Sequence, residues 1–131
     1  MSKLKANTFK KYFVAYLYPT LWAAVIFLFS AQESLPGFSV SLYEFIFKKS
    51  AHMFVFAVLY LLLVRAYQQT SDQSNENNKK SYLYPMVICL LYALIDELHQ
   101  SVVPGRHATF RDIGYDTLGI STALLYQLKL I

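Results

Sequence analysis

The feature that most constrains this chain is the length of its apolar runs. Residues 12–31 form a run of twenty residues without a charged side chain, and three further apolar runs follow it. An α-helix rises about 1.5 Å per residue, so about twenty apolar residues cross the ~30 Å hydrocarbon core of a bilayer. Charged residues make up only 15% of the chain, against about 25% in an ordinary soluble domain. The sequence therefore predicts an integral membrane protein.

The order of the runs predicts an all-α, polytopic membrane protein, a four-transmembrane-helix bundle that forms one domain over residues 1–131. The predicted spans are about 12–31, 49–67, 82–100 and 112–130, with Leu42–Phe47 as a short interfacial segment between helices 1 and 2. A cleaved signal peptide is the alternative for the first run, but its apolar region would be only about 7–15 residues long. We therefore expect an uncleaved first span.

The distribution of basic residues predicts the orientation in the cell membrane. With four spans and a cytoplasmic N-terminus, the C-terminus is also cytoplasmic, and eight basic residues lie inside against four outside. The inner set is Lys3, Lys5, Lys10, Lys11, Arg65, Lys79, Lys80 and Lys129, and the outer set is Lys48, Lys49, Arg106 and Arg111. The positive-inside rule favours this arrangement.

Several function classes are excluded by what the sequence lacks. No basic stripe interleaved with aromatic residues indicates nucleic-acid binding. The single cysteine, Cys89, cannot form an internal disulfide. The phosphate-binding loop, the His-Glu-x-x-His zinc motif and the Gly-x-Ser-x-Gly nucleophile motif are all missing. The expected partners are the lipid bilayer and a lipid-linked or glycopeptide ligand, and the sequence leaves the cofactor unknown.

The polar residues near the ends of the apolar runs are the candidate site. In an up-and-down bundle they all lie at the outer face: Lys49, His52, Asp96, Glu97, His99, Gln100, Arg106, Asp112 and Asp116. An ionisable residue inside the membrane costs roughly 2.5–3.5 kcal/mol or more, so such residues are functional candidates by default. We expect one polar pocket, because shared partners satisfy these groups at low dielectric.

Helical spacing groups these residues further. Asp96, His99 and Gln100 share one helix face at i, i+3 and i+4, and so do Asp112 and Asp116 at i, i+4. Either Gly114 or Gly119 could allow another helix to approach closely.

These spacings suggest a chemical role for each residue. Histidine titrates nearest neutral pH, so His52 or His99 is the candidate acid or base, oriented by Asp96 or Asp112. The predicted catalytic residues are His52, His99, Asp96, Glu97 and Asp112, and the predicted ligand-binding residues are Lys49, Gln100, Arg106 and Asp116. Lys49 and Arg106 would bind a phosphate or carboxylate.

The motifs together carry a resemblance. In order they are Lys49-Ser-Ala-His52-Met-Phe, Asp96-Glu-Leu-His-Gln100, Pro104-Gly-Arg106 and Asp112-Ile-Gly-Tyr-Asp116-Thr-Leu-Gly119. From about Ser30 onward the chain resembles the VanZ-like family of small bacterial membrane proteins. The resemblance implies that the same nine polar residues are the motif residues, and that the role concerns the cell envelope and resistance to glycopeptide antibiotics such as teicoplanin.

The sequence leaves several functions open. The polar pocket could bind, or react with, an anionic lipid-linked or glycopeptide ligand at the outer leaflet. Alternatively, it is a structural ion-pair network, or a metal site in a metal-dependent membrane enzyme that uses ligands from His52, His99, Asp96, Asp112 and Asp116. Transport along intramembrane carboxylates is a further alternative. The sequence decides neither the ligand, nor catalysis, nor the oligomeric state.

Overall fold

In the computed structural model, the described residues form four α-helices. The structure describes residues 2–31, 41–71, 79–103 and 109–131, and gives only the backbone of residues 2–6, 41 and 44. The helices are α1 (Ser2–Ser30), α2 (Ser41–Thr70), α3 (Lys80–Ser101) and α4 (Phe110–Gln127). These ranges contain no β-strand. The predicted all-α four-helix bundle is confirmed.

Three helices in the described ranges are long and apolar enough to cross a membrane, namely Asn7–Ser30, Phe45–Thr70 and Lys80–Ser101. They confirm a multi-pass membrane protein. Helix α4 is 18 residues long and carries Arg111, Asp112 and Asp116. Leu42–Phe47, which we predicted as a separate interfacial segment, forms the beginning of α2, so this helix starts well before the predicted span at 49.

Helices α1 and α2 run antiparallel, as two contacts between them show. The Tyr12 hydroxyl donates to the Thr70 carbonyl oxygen at 3.4 Å, and the Trp22 indole donates to the Val55 carbonyl oxygen at 2.9 Å. Residue numbers therefore rise along α1 while they fall along α2. Helix α2 packs against all three other helices, whereas α1 and α4 make no contact in the described ranges.

Helix α2 supplies half of the apolar core. Phe56, Leu59, Tyr60, Leu63 and Val64 are buried along its middle, and the other helices contribute Ile26, Cys89, Ala93, Ile120 and Ala123. Many large apolar side chains point away from this core and are exposed on the bundle surface. A bilayer accommodates such a surface, because lipid chains are as apolar as the side chains themselves.

Close contact between α2 and α4 depends on one glycine. A Cβ atom at Gly119 would lie 2.1 Å from the backbone oxygen of Met53, far inside van der Waals contact. A Cβ atom at Gly114 would meet nothing within 4 Å. The predicted close helix approach therefore occurs at Gly119 and not at Gly114.

The end of α4 is set by a backbone motif. Lys129 has a positive φ of 56°, and its N–H donates to the Tyr126 carbonyl oxygen at 3.0 Å. The N–H of Leu130 donates to the Leu125 carbonyl oxygen, also at 3.0 Å. These two bonds form a Schellman motif, which satisfies the last carbonyls of a helix. Helix α4 therefore ends at Gln127, three residues before the predicted end of the span at Leu130.

Candidate functional site

The up-and-down arrangement brings four helix ends together: the end of α1, the start of α2, the end of α3 and the start of α4. We call this the polar end. Its predicted site residues are Lys49, His52, Asp96, Glu97, His99, Gln100, Asp112 and Asp116. Five of these eight are buried, namely Asp96, Glu97, Gln100, Asp112 and Asp116. The ninth predicted residue, Arg106, lies outside the described residues, and so does His107.

His52 on α2 is held by Asp116 on α4. The His52 Nδ1 atom lies 3.0 Å from Asp116 Oδ1, and the Asp116 residue is completely buried. An N–H at Nδ1 donated to the carboxylate fixes the orientation of the ring and makes Nε2 the ring nitrogen for a ligand or a proton. We expected Asp96 or Asp112 to orient a histidine, and the structure instead places Asp116 beside His52.

Lys49 forms the second contact between α2 and α4. Its ammonium group makes an ion pair with Asp112 Oδ1. The same nitrogen lies 5.6 Å from the ring centre of Phe45 and 5.4 Å from that of Tyr115. Cation–π attraction operates at such distances. The charge of Lys49 is therefore already compensated within the protein, which leaves less of it for an anionic ligand.

Asp96 on α3 is held by a short polar chain that leads to α1. Gln100 Nε2 donates to Asp96 Oδ2 at 2.7 Å, and it lies 3.3 Å from Ser30 Oγ. Asp96 is only 2% exposed, and its other carboxylate oxygen, Oδ1, has no hydrogen-bond partner in the described part of the chain. A buried acceptor without a partner is costly, so this oxygen is a candidate ligand contact.

Glu97 ties α3 to the start of α4. Its Oε1 atom accepts the Thr109 backbone N–H at 2.8 Å, and the Thr109 hydroxyl donates to Asp112 Oδ2 at 3.2 Å. In a capping box, the acid three residues after the N-cap accepts the backbone N–H of the N-cap residue. Here Glu97 accepts it instead, while Asp112 pairs with Lys49. The spacing Thr109-x-x-Asp112 before an apolar run is a sequence signal for this helix start.

His99 has a different environment from His52. Its ring stacks on Phe27 of α1, with ring centres 4.5 Å apart. Its Nδ1 atom is buried without a hydrogen-bond partner among the described residues. The two predicted candidate histidines therefore contact different helices, and of these two only His52 has a paired carboxylate in the described residues.

An apolar cavity of about 350 Å³ adjoins the polar end, between α1, α2 and α3. Its apolar walls are Trp22, Val25, Ile26, Phe29, Phe47, Ala51 and Val55, and its polar lining is Ser30, Lys48, His52 and Asp96. From Trp22 to Ser30 the α1 wall is about 12 Å long at the helical rise. Nothing in the sequence indicates this cavity, because it depends on how α1 packs against the other helices.

The described residues offer no metal site. No three histidine, cysteine, aspartate or glutamate side chains in those ranges are placed to hold an ion. Two of the candidate ligands contact different partners instead, since His52 pairs with Asp116 and Asp112 pairs with Lys49. The metal-dependent alternative therefore has no ligand set in this part of the chain.

Comparison with known proteins identifies a family for the chain. A family model described as VanZ/LLP1 matches residues 13–130. No curated protein and no solved structure matches the chain.

Proposed function

Because the chain belongs to the VanZ/LLP1 family, we propose that it is a cell-envelope membrane protein that binds an amphiphilic ligand. The ligand is a lipid-linked or glycopeptide molecule. Its apolar chain occupies the cavity beside α1, and its head contacts the polar end. The observation that carries the proposal is an apolar cavity whose lining includes the polar residues His52 and Asp96.

The size of the cavity supports a chain-like occupant. A water molecule takes about 30 Å³ of liquid volume, so about 350 Å³ holds roughly a dozen groups of that size. A methylene group is of similar size, and each one that leaves water contributes about 0.8 kcal/mol. The walls supply almost no hydrogen-bonding groups along Trp22, Val25 and Ile26. A hydrocarbon chain suits this part of the cavity.

The polar lining supports a head group at the same site. Ser30, Lys48, His52 and Asp96 contact the cavity. A wholly apolar occupant would leave Asp96 Oδ1 without a hydrogen-bond partner, at a desolvation cost of about 1–3 kcal/mol. An occupant with a polar head and an apolar chain satisfies both parts of the lining.

The structure also favours one residue for any chemistry on that head. His52 lines the cavity and is oriented by Asp116, which is the arrangement that a general base requires. The anion-binding prediction for Lys49 and Arg106 stays a prediction. Lys49 is paired with Asp112.

Binding can be measured with the single tryptophan of the chain, Trp22, because it lines the cavity. A single-chain amphiphile with bromine on its chain quenches a nearby indole. We expect saturable quenching of Trp22 in nanodiscs, in addition to the linear quenching by bulk lipid. Ala51→Phe, which fills the cavity, should abolish the saturable part. Ala24→Phe is the matched control, because Ala24 is exposed on α1 and does not line the cavity.

Two outcomes of this measurement contradict the proposal. One is quenching that rises linearly with brominated amphiphile in the unsubstituted protein. The other is an equal loss of saturable quenching in Ala51→Phe and Ala24→Phe, which would mean that the substitutions perturb α1 and α2 in general.

The outward orientation of the polar end belongs to the same proposal, and the excess of basic residues on the opposite side supports it. Single cysteines at positions 107 and 75, in a chain without Cys89, test it in intact cells. We expect an impermeant thiol reagent to label position 107 and not position 75. The reverse pattern would place the polar end in the cytoplasm and exclude an outer-leaflet ligand.

The family resemblance carries the proposed role in glycopeptide resistance. Expression of the chain in a susceptible host should raise the teicoplanin concentration that inhibits growth. His52→Ala and His99→Ala should each remove this effect at unchanged membrane abundance. Full resistance in both variants would contradict a role for the polar end.

A further inference from the structure

A second cavity lies along α1, farther from the polar end than the first. It has a volume of about 180 Å³ and lies between the same three helices, α1, α2 and α3. Tyr16 and Pro19 of α1, Leu63 of α2 and Ile88 of α3 are among the residues that line it. Within the described ranges, no charged side chain lines this cavity. Its surroundings therefore suit an apolar group.

One face of α2 forms the floor of both cavities. Phe47, Ala51 and Val55 line the first cavity, and Leu59 and Leu63 line the second. These five residues follow one another at intervals of four, and residues at this spacing stack along one face of a helix. The second cavity therefore continues the line of the first along α2, and the shared floor is about 24 Å long at the helical rise.

The other two helices continue from one cavity to the next in the same way. On α3, Asp96 lines the first cavity, while Tyr92 and Ile88 line the second, again at intervals of four. On α1, Ile26 lines the first cavity and Ala23, three residues earlier, lines the second. All three helices thus present the two cavities in the same order. The cavities lie end to end in one groove that begins at the polar end.

The two sides of this groove, α1 and α3, are only weakly joined. They contact each other much less than either of them contacts α2. The Tyr92 hydroxyl of α3 donates to the Ala23 carbonyl oxygen of α1 at 2.6 Å. Because Ala23 adjoins Trp22 of the first cavity in the chain, this hydrogen bond lies close to the point where the two cavities meet.

Resting on the function proposed above, we infer that the ligand is a long-chain amphiphile whose chain continues past Tyr92 into the second cavity. At about 30 Å³ for each methylene-sized group, the two cavities together hold roughly eighteen such groups. A chain in the second cavity gains dispersion contacts with three helices. The recognised class is therefore a lipid with a chain of about eighteen carbons. A chain of twelve carbons ends within the first cavity.

The test uses two glycerol esters, with chains of twelve and eighteen carbons and bromine on the last carbon. The reporter is Trp22→Phe/Tyr16→Trp, which moves the single tryptophan of the full chain into the second cavity. In nanodiscs, the eighteen-carbon probe should quench this reporter saturably, and the twelve-carbon probe only linearly, as bulk lipid does. On the unsubstituted protein, the twelve-carbon probe should give the stronger saturable quenching of Trp22.

The matched control is Trp22→Phe/Tyr18→Trp. Tyr18 lies two residues farther along α1, is 64% exposed and lines neither cavity. Both probes should quench a tryptophan at this position only linearly. Equal saturable quenching at positions 16 and 18 would mean that the chain lies on the exposed surface of α1, which overturns the groove.

The outcomes separate this inference from the function on which it rests. No saturable quenching by either probe, at either position 22 or position 16, overturns the proposed amphiphile binding and the chain length with it. Saturable quenching of Trp22 by the twelve-carbon probe, with only linear quenching at position 16 by the eighteen-carbon probe, overturns only the long chain.

A second reporter covers the case in which the Tyr16→Trp variant does not fold. Trp22→Phe/Leu63→Trp places the tryptophan in the same cavity from α2, and the same results are expected. If neither variant folds, the unsubstituted protein decides. Quenching of Trp22 that is as strong with the eighteen-carbon probe as with the twelve-carbon probe would overturn the inference, because the bromine would not have moved past Trp22.

Discussion

The two sides of α2 at the polar end differ in how they pack. The side toward α4 is tight: the Gly119 backbone touches that of Met53, and two acid–base contacts join the helices. The side toward α1 encloses a cavity of about 350 Å³. One helix therefore both holds polar groups in fixed positions and forms the wall of a cavity.

Physical reasons for the difference lie in the residues on each side. On the α4 side, charges need close partners in a low-dielectric environment, and a glycine allows the backbones to approach. On the α1 side, Trp22 and Phe29 line the cavity. Helix α1 is held there by the packing of Ile26 in the core and by hydrogen bonds such as the one from Trp22 to the Val55 carbonyl oxygen. Substitutions on the two sides of α2 should therefore change the free energy of unfolding by different amounts.

The largest effect is expected from breaking the Lys49–Asp112 ion pair. Lys49→Met leaves the buried Asp112 without its cation and should lower the free energy of unfolding by about 3 kcal/mol. Steric-trapping measurements of unfolding in detergent give this free energy. The double variant Lys49→Met/Asp112→Leu should recover most of the loss, because no buried charge remains.

Lys11→Met is the matched control for this prediction, because Lys11 is exposed at the start of α1. It should be neutral within about 0.5 kcal/mol. A loss in Lys11→Met equal to that in Lys49→Met would show that the ion pair does not hold α2 against α4.

The second prediction compares two glycines of α4. Gly119→Ala forces a Cβ atom against the Met53 backbone and should cost about 2 kcal/mol, as overpacking typically does. Gly114→Ala meets no atom within 4 Å and should stabilise the helix by up to about 1 kcal/mol through helix propensity. Thermal unfolding monitored by circular dichroism separates the two. Equal shifts of the melting temperature in the same direction would contradict the tight α2–α4 contact.

The smallest effect is expected on the looser side. Tyr92→Phe removes the hydrogen bond from the Tyr92 hydroxyl to the Ala23 carbonyl oxygen, which is 2.6 Å long, and should cost about 1 kcal/mol. Amide hydrogen exchange should then increase in α1 and not in α4. Tyr84→Phe, at an exposed position on the same helix, is the control. Faster exchange in α4 than in α1 would mean that the two sides of α2 are not independent.

The sequence predicted the convergence at the polar end for a simple reason. Polar residues at i, i+3 and i+4 share a helix face, and antiparallel spans bring alternate ends together. The sequence alone therefore predicts that Asp96, Gln100 and Asp116 lie at one end of the bundle. The sequence also predicted a close helix approach at a glycine, although it could not distinguish Gly119 from Gly114.

The remaining features depend on helix rotation and packing, which hydrophobic periodicity does not specify when a helix is apolar on most sides. The pairing of His52 with Asp116 rather than with Asp96 or Asp112 is one example. The cavity beside Trp22 is another. The N-cap position of Thr109 before α4 is a third, because apolar runs alone do not indicate it.

The central claim is that an amphiphile occupies the cavity with its head near His52 and Asp96 and its chain along Trp22. Photo-crosslinking tests it most directly, with one probe labelled at the head, one at the chain end, and mass spectrometry of the adducts from nanodiscs. We expect head adducts on peptides that contain His52 or Asp96, and chain-end adducts on the peptide that contains Trp22. Both kinds of adduct should be lost in Ala51→Phe. Adducts spread over the exposed apolar faces, unchanged by Ala51→Phe, would contradict it.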